Sequence, residues 1–196
     1  MAITKGQIKF AGWLSIISAI LTIPIAKSIT FLHSLNKFEP KFIQAVLVFI
    51  SVGLFIYIYL SLKKLLNFRF QFHNVDSCIL MLIGGNIILS IINILSLLST
   101  NDKIFSILLI SILIPLGIVF IVFGIRILQL SDNLFGLLRP FSYASIVIGL
   151  CYSAIILIPI DILIPIGLIA DVVGDGALGI IFLKAAQKFF SDKTTI

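Results

Sequence analysis

The sequence predicts an all-α membrane protein, a polytopic bundle of six transmembrane helices with both termini in the cytoplasm. Three observations carry that expectation. The 196-residue chain is 60% hydrophobic and only 11% charged. It divides into six apolar runs, each near the ~20 residues that span a bilayer core as a helix. Its Lys and Arg residues collect at one set of run ends. Mean hydropathy is +1.25, whereas soluble domains carry about 45–50% apolar and about 25% charged residues, so water is not the solvent of this chain.

The expected spans are about Phe10 to Leu32, Lys41 to Leu62, Ser77 to Leu98, Ile104 to Leu128, Phe141 to Ile158 and Ile162 to Leu183, all in one transmembrane domain covering residues 1–196. The first run follows Lys5 and Lys9 and exceeds the ~7–15 apolar residues of a signal core, so it reads as an uncleaved helix. Ala11, Ser15, Ser18, Thr22 and Ala26 line up on it as a small-residue face for close helix contact. Lys27 can reach outward along its aliphatic stem.

The second run stops before Lys63 and Lys64, which places Tyr59 at the inner headgroup level beside Trp13 and Tyr143 of helices one and five. Residues 67–75 read Asn-Phe-Arg-Phe-Gln-Phe-His-Asn-Val. There Phe68, Phe70 and Phe72 alternate with polar neighbours, the pattern of an extended segment lying on the membrane surface or, with Arg69, of a partner-docking edge.

Helix three carries Asn86, Ser90 and Asn93 at spacings of four and three, one polar stripe on an apolar cylinder. Helix four is apolar on every face from Ile104 to Phe123, which leaves a β-barrel no polar lumen; Arg126 near its end can reach inward. The following loop, Ser131 to Pro140, mixes Leu134, Phe135, Leu137 and Leu138 with Arg139 and is interfacial in character. Helix five presents Ser142, Ser145, Gly149 and Ser153 as a second packing face, and Pro159, Asp161 and Pro165 mark a tight outer turn around Asp161 before helix six.

Orientation follows from positive charge retained in the cytoplasm. Lys5, Lys9, Lys63, Lys64, Arg69, Arg126, Arg139, Lys184, Lys188 and Lys193 fall inside; Lys27, Lys37, Lys41 and Lys103 fall outside. The loops around Asn36, Asp102 and Asp161 are then external. Ile112 to Gly117 resembles Ile162 to Gly167, with Gly124 and Gly174 seven residues further on, and Ser18 to Ile25 resembles Ser153 to Ile160. These matches relate hairpins of one orientation, so a three-hairpin duplication stands beside simple Ile and Leu richness as their origin.

The sharpest chemistry lies in helix six. Asp171 and Asp175 share a face, with Asp171 roughly 14 Å into the span at ~1.5 Å per residue. An ionised carboxylate at that depth costs at least about 2.5–3.5 kcal/mol, so such residues face protein or water and often mark ion paths. The Asn86, Ser90 and Asn93 stripe is the expected partner across the bundle. The plainer alternative is glue, since interhelical hydrogen bonds average only about 0.6 kcal/mol.

Other classes are not expected. The net charge of +6 comes from dispersed helix ends and does not form a nucleic-acid patch. Cys78 and Cys151 stand alone in apolar runs, and His33 and His73 fall in opposite loops, so neither a metal nor a cofactor is expected. No nucleophile elbow, P-loop or dinucleotide fingerprint occurs, and an aspartyl pair on one helix is poorly placed for intramembrane catalysis. The expected function is a channel or an ion- or proton-coupled transporter using Asp171, Asp175, Asn86, Ser90 and Asn93. So short a chain leaves little room for a cavity in one copy, which favours a homo-oligomer. The alternative is a non-catalytic anchor, scaffold or regulatory subunit that meets a membrane-protein partner through Phe68, Arg69, Phe70 and Phe72. Either way the chain sits in the lipid bilayer as a multi-pass cell-membrane protein, in the inner membrane if the cell is bacterial.

Overall fold

In lipid, backbone N–H and C=O groups find no water, so each apolar run closes its own hydrogen bonds as a helix. The computed structural model describes residues 4–34, 38–98, 102–130 and 132–191. Six helices run in order: α1 Lys5–Ser34, α2 Phe38–Phe70, α3 Asp76–Leu98, α4 Asp102–Leu128, α5 Leu138–Ser153 and α6 Ile160–Ser191. All six are long and apolar enough to cross a membrane, and no strand occurs among the described residues. The expected loop around Asn36, the residues 99–101 before Asp102, Ser131 and Lys193 lie outside the described residues.

Each helix packs on its neighbour in sequence, and α6 returns to α1, so the six close into a ring. Glycine makes the two tightest seams. Between α4 and α5, a Cβ built on Gly149 would stand 2.5 Å from the Gly117 carbonyl oxygen, and one on Gly124 would stand 2.7 Å from the Ser142 carbonyl oxygen. Between α1 and α6, Gly12 and Gly179 meet in the same way, each Cβ position lying about 3 Å from the other residue's carbonyl oxygen. Close backbone approach of this kind replaces the hydrophobic drive that helices lose in lipid. The Ser15 hydroxyl donates to the Asp175 carbonyl across the α1–α6 seam at 2.8 Å.

Side-chain packing is densest at the end where α1 begins and α6 finishes. Leu62, Leu66, Ile79, Leu82, Phe123, Ile127, Leu178, Ile181 and Phe182 are fully buried there. The α4–α5 loop adds Leu134, also fully buried, from a short 3₁₀ turn (Leu134–Gly136) whose reversal puts Gly136 at φ 86°. The Lys188 ammonium lies 5.6 Å from the centre of the Phe135 ring beside it, within cation–π range. Arg126 donates to the Asn74 carbonyl at 2.8 Å, tying α4 to the α2–α3 turn.

Several boundaries differ from expectation. α2 continues past Leu62 to Phe70, so Phe68, Arg69 and Phe70 belong to its last turn and not to an extended segment. Leu62, Leu65 and Leu66 keep a buried helical face through this stretch, with no Gly or Pro to end it, and that period overrides five residues of alternation. The helix stops where Gln71 turns left-handed at φ 50°. Because α2 is longer, Tyr59 lies within the helix and not at its end, and it is 6% exposed inside the bundle. α5 ends early, at Ser153, and a 3₁₀ turn (Ala154–Ile156) leads to α6. The turn therefore precedes Asp161, because Pro159 serves the helix start: its carbonyl accepts from the Ile162 amide at 3.0 Å.

Candidate functional site

Where the dense packing ends, the ring holds a cavity of about 330 Å³. α6 contributes Asp171, Asp175 and Gly174; α3 contributes Asn86, Ser90 and Asn93. All five residues expected to carry a path thus line one space. The α3 residues face it because their spacing of four and three keeps them on one side of the helix. Asp171 lies about 16 Å along α6 from Ile160, and Asn86 about 15 Å along α3 from Asp76, at ~1.5 Å per residue. All of the lining comes from one copy, where the sequence leads to the expectation of little room for a cavity.

Residues not expected to take part also line it. Ser18 and Thr22 of α1, Ser51 and Tyr59 of α2, and Ser145 and Tyr152 of α5 all border the cavity. The small-residue stripe of α1 therefore divides, with Ala11 and Ser15 buried towards the α6 seam and Ser18, Thr22 and Ala26 on the cavity. The α5 stripe divides likewise. Gly149 and Ser153 meet Gly117 of α4, while Ser145 lines the cavity and bonds the Phe141 carbonyl at 3.0 Å. A pair of hydroxyls at i and i+4, as in Ser18 and Thr22, is a sequence signal for such a wall. For Tyr59 and Tyr152 the only signal is a phenol set deep in an apolar run.

The two carboxyls differ in their surroundings. Asp175 has the Ser18 hydroxyl beside its carboxyl. Asp171 has no such partner among the described residues; its electrostatic neighbours are Asp175, Tyr59, Tyr152 and Cys151. Aromatic rings pack between the cavity and the dense core. Tyr59 stacks on Phe55 with centroids 4.2 Å apart, lies 6.0 Å from Phe123, and Phe123 meets Phe141 edge-on at 5.9 Å. Phe120 meets Tyr152 edge-on at 5.8 Å.

The expected docking residues are not brought together as an edge. Phe68 is 55% exposed and borders a shallow hollow on α2 with Leu60, Lys63, Lys64 and Asn67. Phe70 and Phe72 pack against the core, and Arg69 is exposed on the last turn. Among the described residues no His, Cys, Asp and Glu group has the arrangement to hold a metal ion. Comparison with protein-family models, with characterised proteins and with solved structures finds no match to this chain.

Proposed function

We propose that the protein is an ion- or proton-coupled transporter whose path passes through the cavity between α6 and α3. The observation that carries this reading is the convergence of Asp171, Asp175, Asn86, Ser90 and Asn93 on one space inside a single ring of helices. Carboxylates at such depth are expensive in lipid, and a polar cavity gives them a use as well as a setting. Packing supports a transporter over an open channel. The cavity extends along Thr22 and Ala26 of α1, Val48 of α2 and Asn93 of α3, away from the termini. At its other end Phe123 and Phe141 are buried shut. A site accessible from one side and sealed on the other is one half of an alternating-access cycle.

Flux through reconstituted vesicles tests the proposal. Proton, sodium and potassium gradients across vesicles holding the wild-type protein should dissipate for at least one ion, and Asp171→Asn should abolish that flux while leaving the folded yield near wild type. Wild-type vesicles that leave every gradient intact overturn the transport reading.

A further inference from the structure

The lining of the cavity carries two carboxyls and no basic side chain, and that restricts what it can hold. The carboxyls of Asp171 and Asp175 face it from α6 and the amides of Asn86 and Asn93 from α3, with Ser and Thr hydroxyls from α1, α2, α3 and α5 around them. Aromatic rings face it from α2, α4 and α5, as Phe55, Tyr59, Phe120, Phe141 and Tyr152. No Lys or Arg lines it, so an anion finds no counter-charge.

Size narrows the class further. At about 330 Å³, the cavity falls within the ~300–1,000 Å³ range of small-molecule sites. A bare inorganic cation would use the oxygens and leave the rings and most of the volume without a role. An organic cation uses both, because ring faces attract a cation within ~6 Å and also bury apolar surface.

Two acceptors in the cavity also stand without donors. The Tyr59 side chain is 6% exposed, lines the cavity, and its hydroxyl makes no hydrogen bond among the described residues. The Asp171 carboxyl has no hydrogen-bond partner there either. Both groups face the cavity, so each can take a hydrogen bond from a donor that enters it.

We propose that the cavity binds a small primary ammonium carried on an apolar or aromatic group. Its N–H donors go to Asp171 and the Tyr59 hydroxyl, and its organic part lies on Phe55, Phe120 and Tyr152. A primary ammonium fits better than a quaternary one because it alone supplies donors to these acceptors. This assignment rests on the reading of the cavity as an ion- or proton-coupled path and names the substrate carried with that ion.

Binding of radiolabelled phenethylammonium to the purified protein, followed by flux in vesicles of the same preparation, tests it. Wild-type protein should bind phenethylammonium saturably, and excess 2-phenylethanol, which has the same shape without the charge, should not displace it. Asp171→Asn should weaken binding at least about tenfold, the loss expected for a charged hydrogen bond. Tyr59→Phe keeps the ring and fold. It should weaken phenethylammonium several-fold yet leave phenethyltrimethylammonium, which has no N–H, unchanged; this split decides the matter even if the Asp171 variant folds poorly. Absence of saturable binding, equal binding of the alcohol, or equal response of both ammonium probes to Tyr59→Phe overturns the proposal. Should Asp171-dependent proton or sodium flux persist without phenethylammonium binding, only the amine assignment fails. Loss of flux and binding together removes the cation path as well.

Discussion

Gly117 and Gly149 face each other across the α4–α5 seam so closely that a Cβ on either would fall within 2.6 Å of the other's carbonyl oxygen. Both obstacles are backbone, and backbone cannot swing aside as a side chain can. Gly149→Ala should therefore push the helices apart and lower stability by about 1–3 kcal/mol, the usual range for overpacking. Gly149→Leu should cost more and reduce folded yield. Gly53 is the control: nothing lies within 4 Å of its Cβ position, so Gly53→Ala should be neutral or stabilise by up to ~1 kcal/mol through helix propensity. Thermal unfolding in detergent reads both, and equal midpoints for Gly149→Ala and wild type would mean that the seam is looser than described.

The two carboxyls should respond differently to the same substitution. The Asp175 carboxyl lies beside Ser18 of α1, on a helix whose Ser15 bonds the Asp175 backbone. Asp175→Leu should therefore disturb the seam that closes the ring and lower thermal stability, whereas Asp171→Leu, with no partner to orphan, should leave stability unchanged or raise it. The difference in melting temperature between the two variants is the measurement, and an equal fall in both would contradict the asymmetry.

Arg126 holds the α2–α3 turn by donating to the Asn74 carbonyl at 2.8 Å. Beside it, Asp76 opens α3 and accepts from Asn67 at 2.9 Å and lies 3.4 Å from His73. Arg126→Leu should free the turn and cost about 1–2 kcal/mol, between a neutral and a charge-assisted hydrogen bond. Hydrogen exchange should rise at residues 71–75 and stay unchanged in α5. A variant with native protection in that turn would show that the contact contributes nothing to it.

Orientation is open to direct labelling. The bias of Lys and Arg toward one set of helix ends in the sequence predicts that the side where α1 begins is cytoplasmic. Cysteine at Asn74, exposed in the α2–α3 turn, should react only with reagent on the cytoplasmic side. Cysteine at Leu157, 85% exposed between α5 and α6, should react only from the opposite side. The native Cys78 and Cys151 are buried and should stay silent. Labelling of both new thiols from one side would refute the six-span topology.

Span number and helical class were legible in the sequence because they follow from local quantities: the length of each apolar run and the requirement that lipid-exposed backbone satisfy itself. Asp171, Asp175, Asn86, Ser90 and Asn93 stood out for a related reason, since a polar group in an apolar run is costly enough to be conspicuous wherever it points. Direction and depth were a different matter. Tyr59 reads as an interface ring if α2 ends at Leu62 and as a cavity wall if it ends at Phe70, and only packing along Leu62, Leu65 and Leu66 decides that. Ser15 and Ser18 belong to one stripe in sequence, yet one bonds the α6 backbone and the other borders the cavity. What divides them is the closure of α1 onto α6, a contact between residues 160 positions apart. Local pattern carries no record of such a pairing, because it is set by which glycine faces can approach once all six helices share one bilayer, and the cavity exists only as the space that this closure leaves.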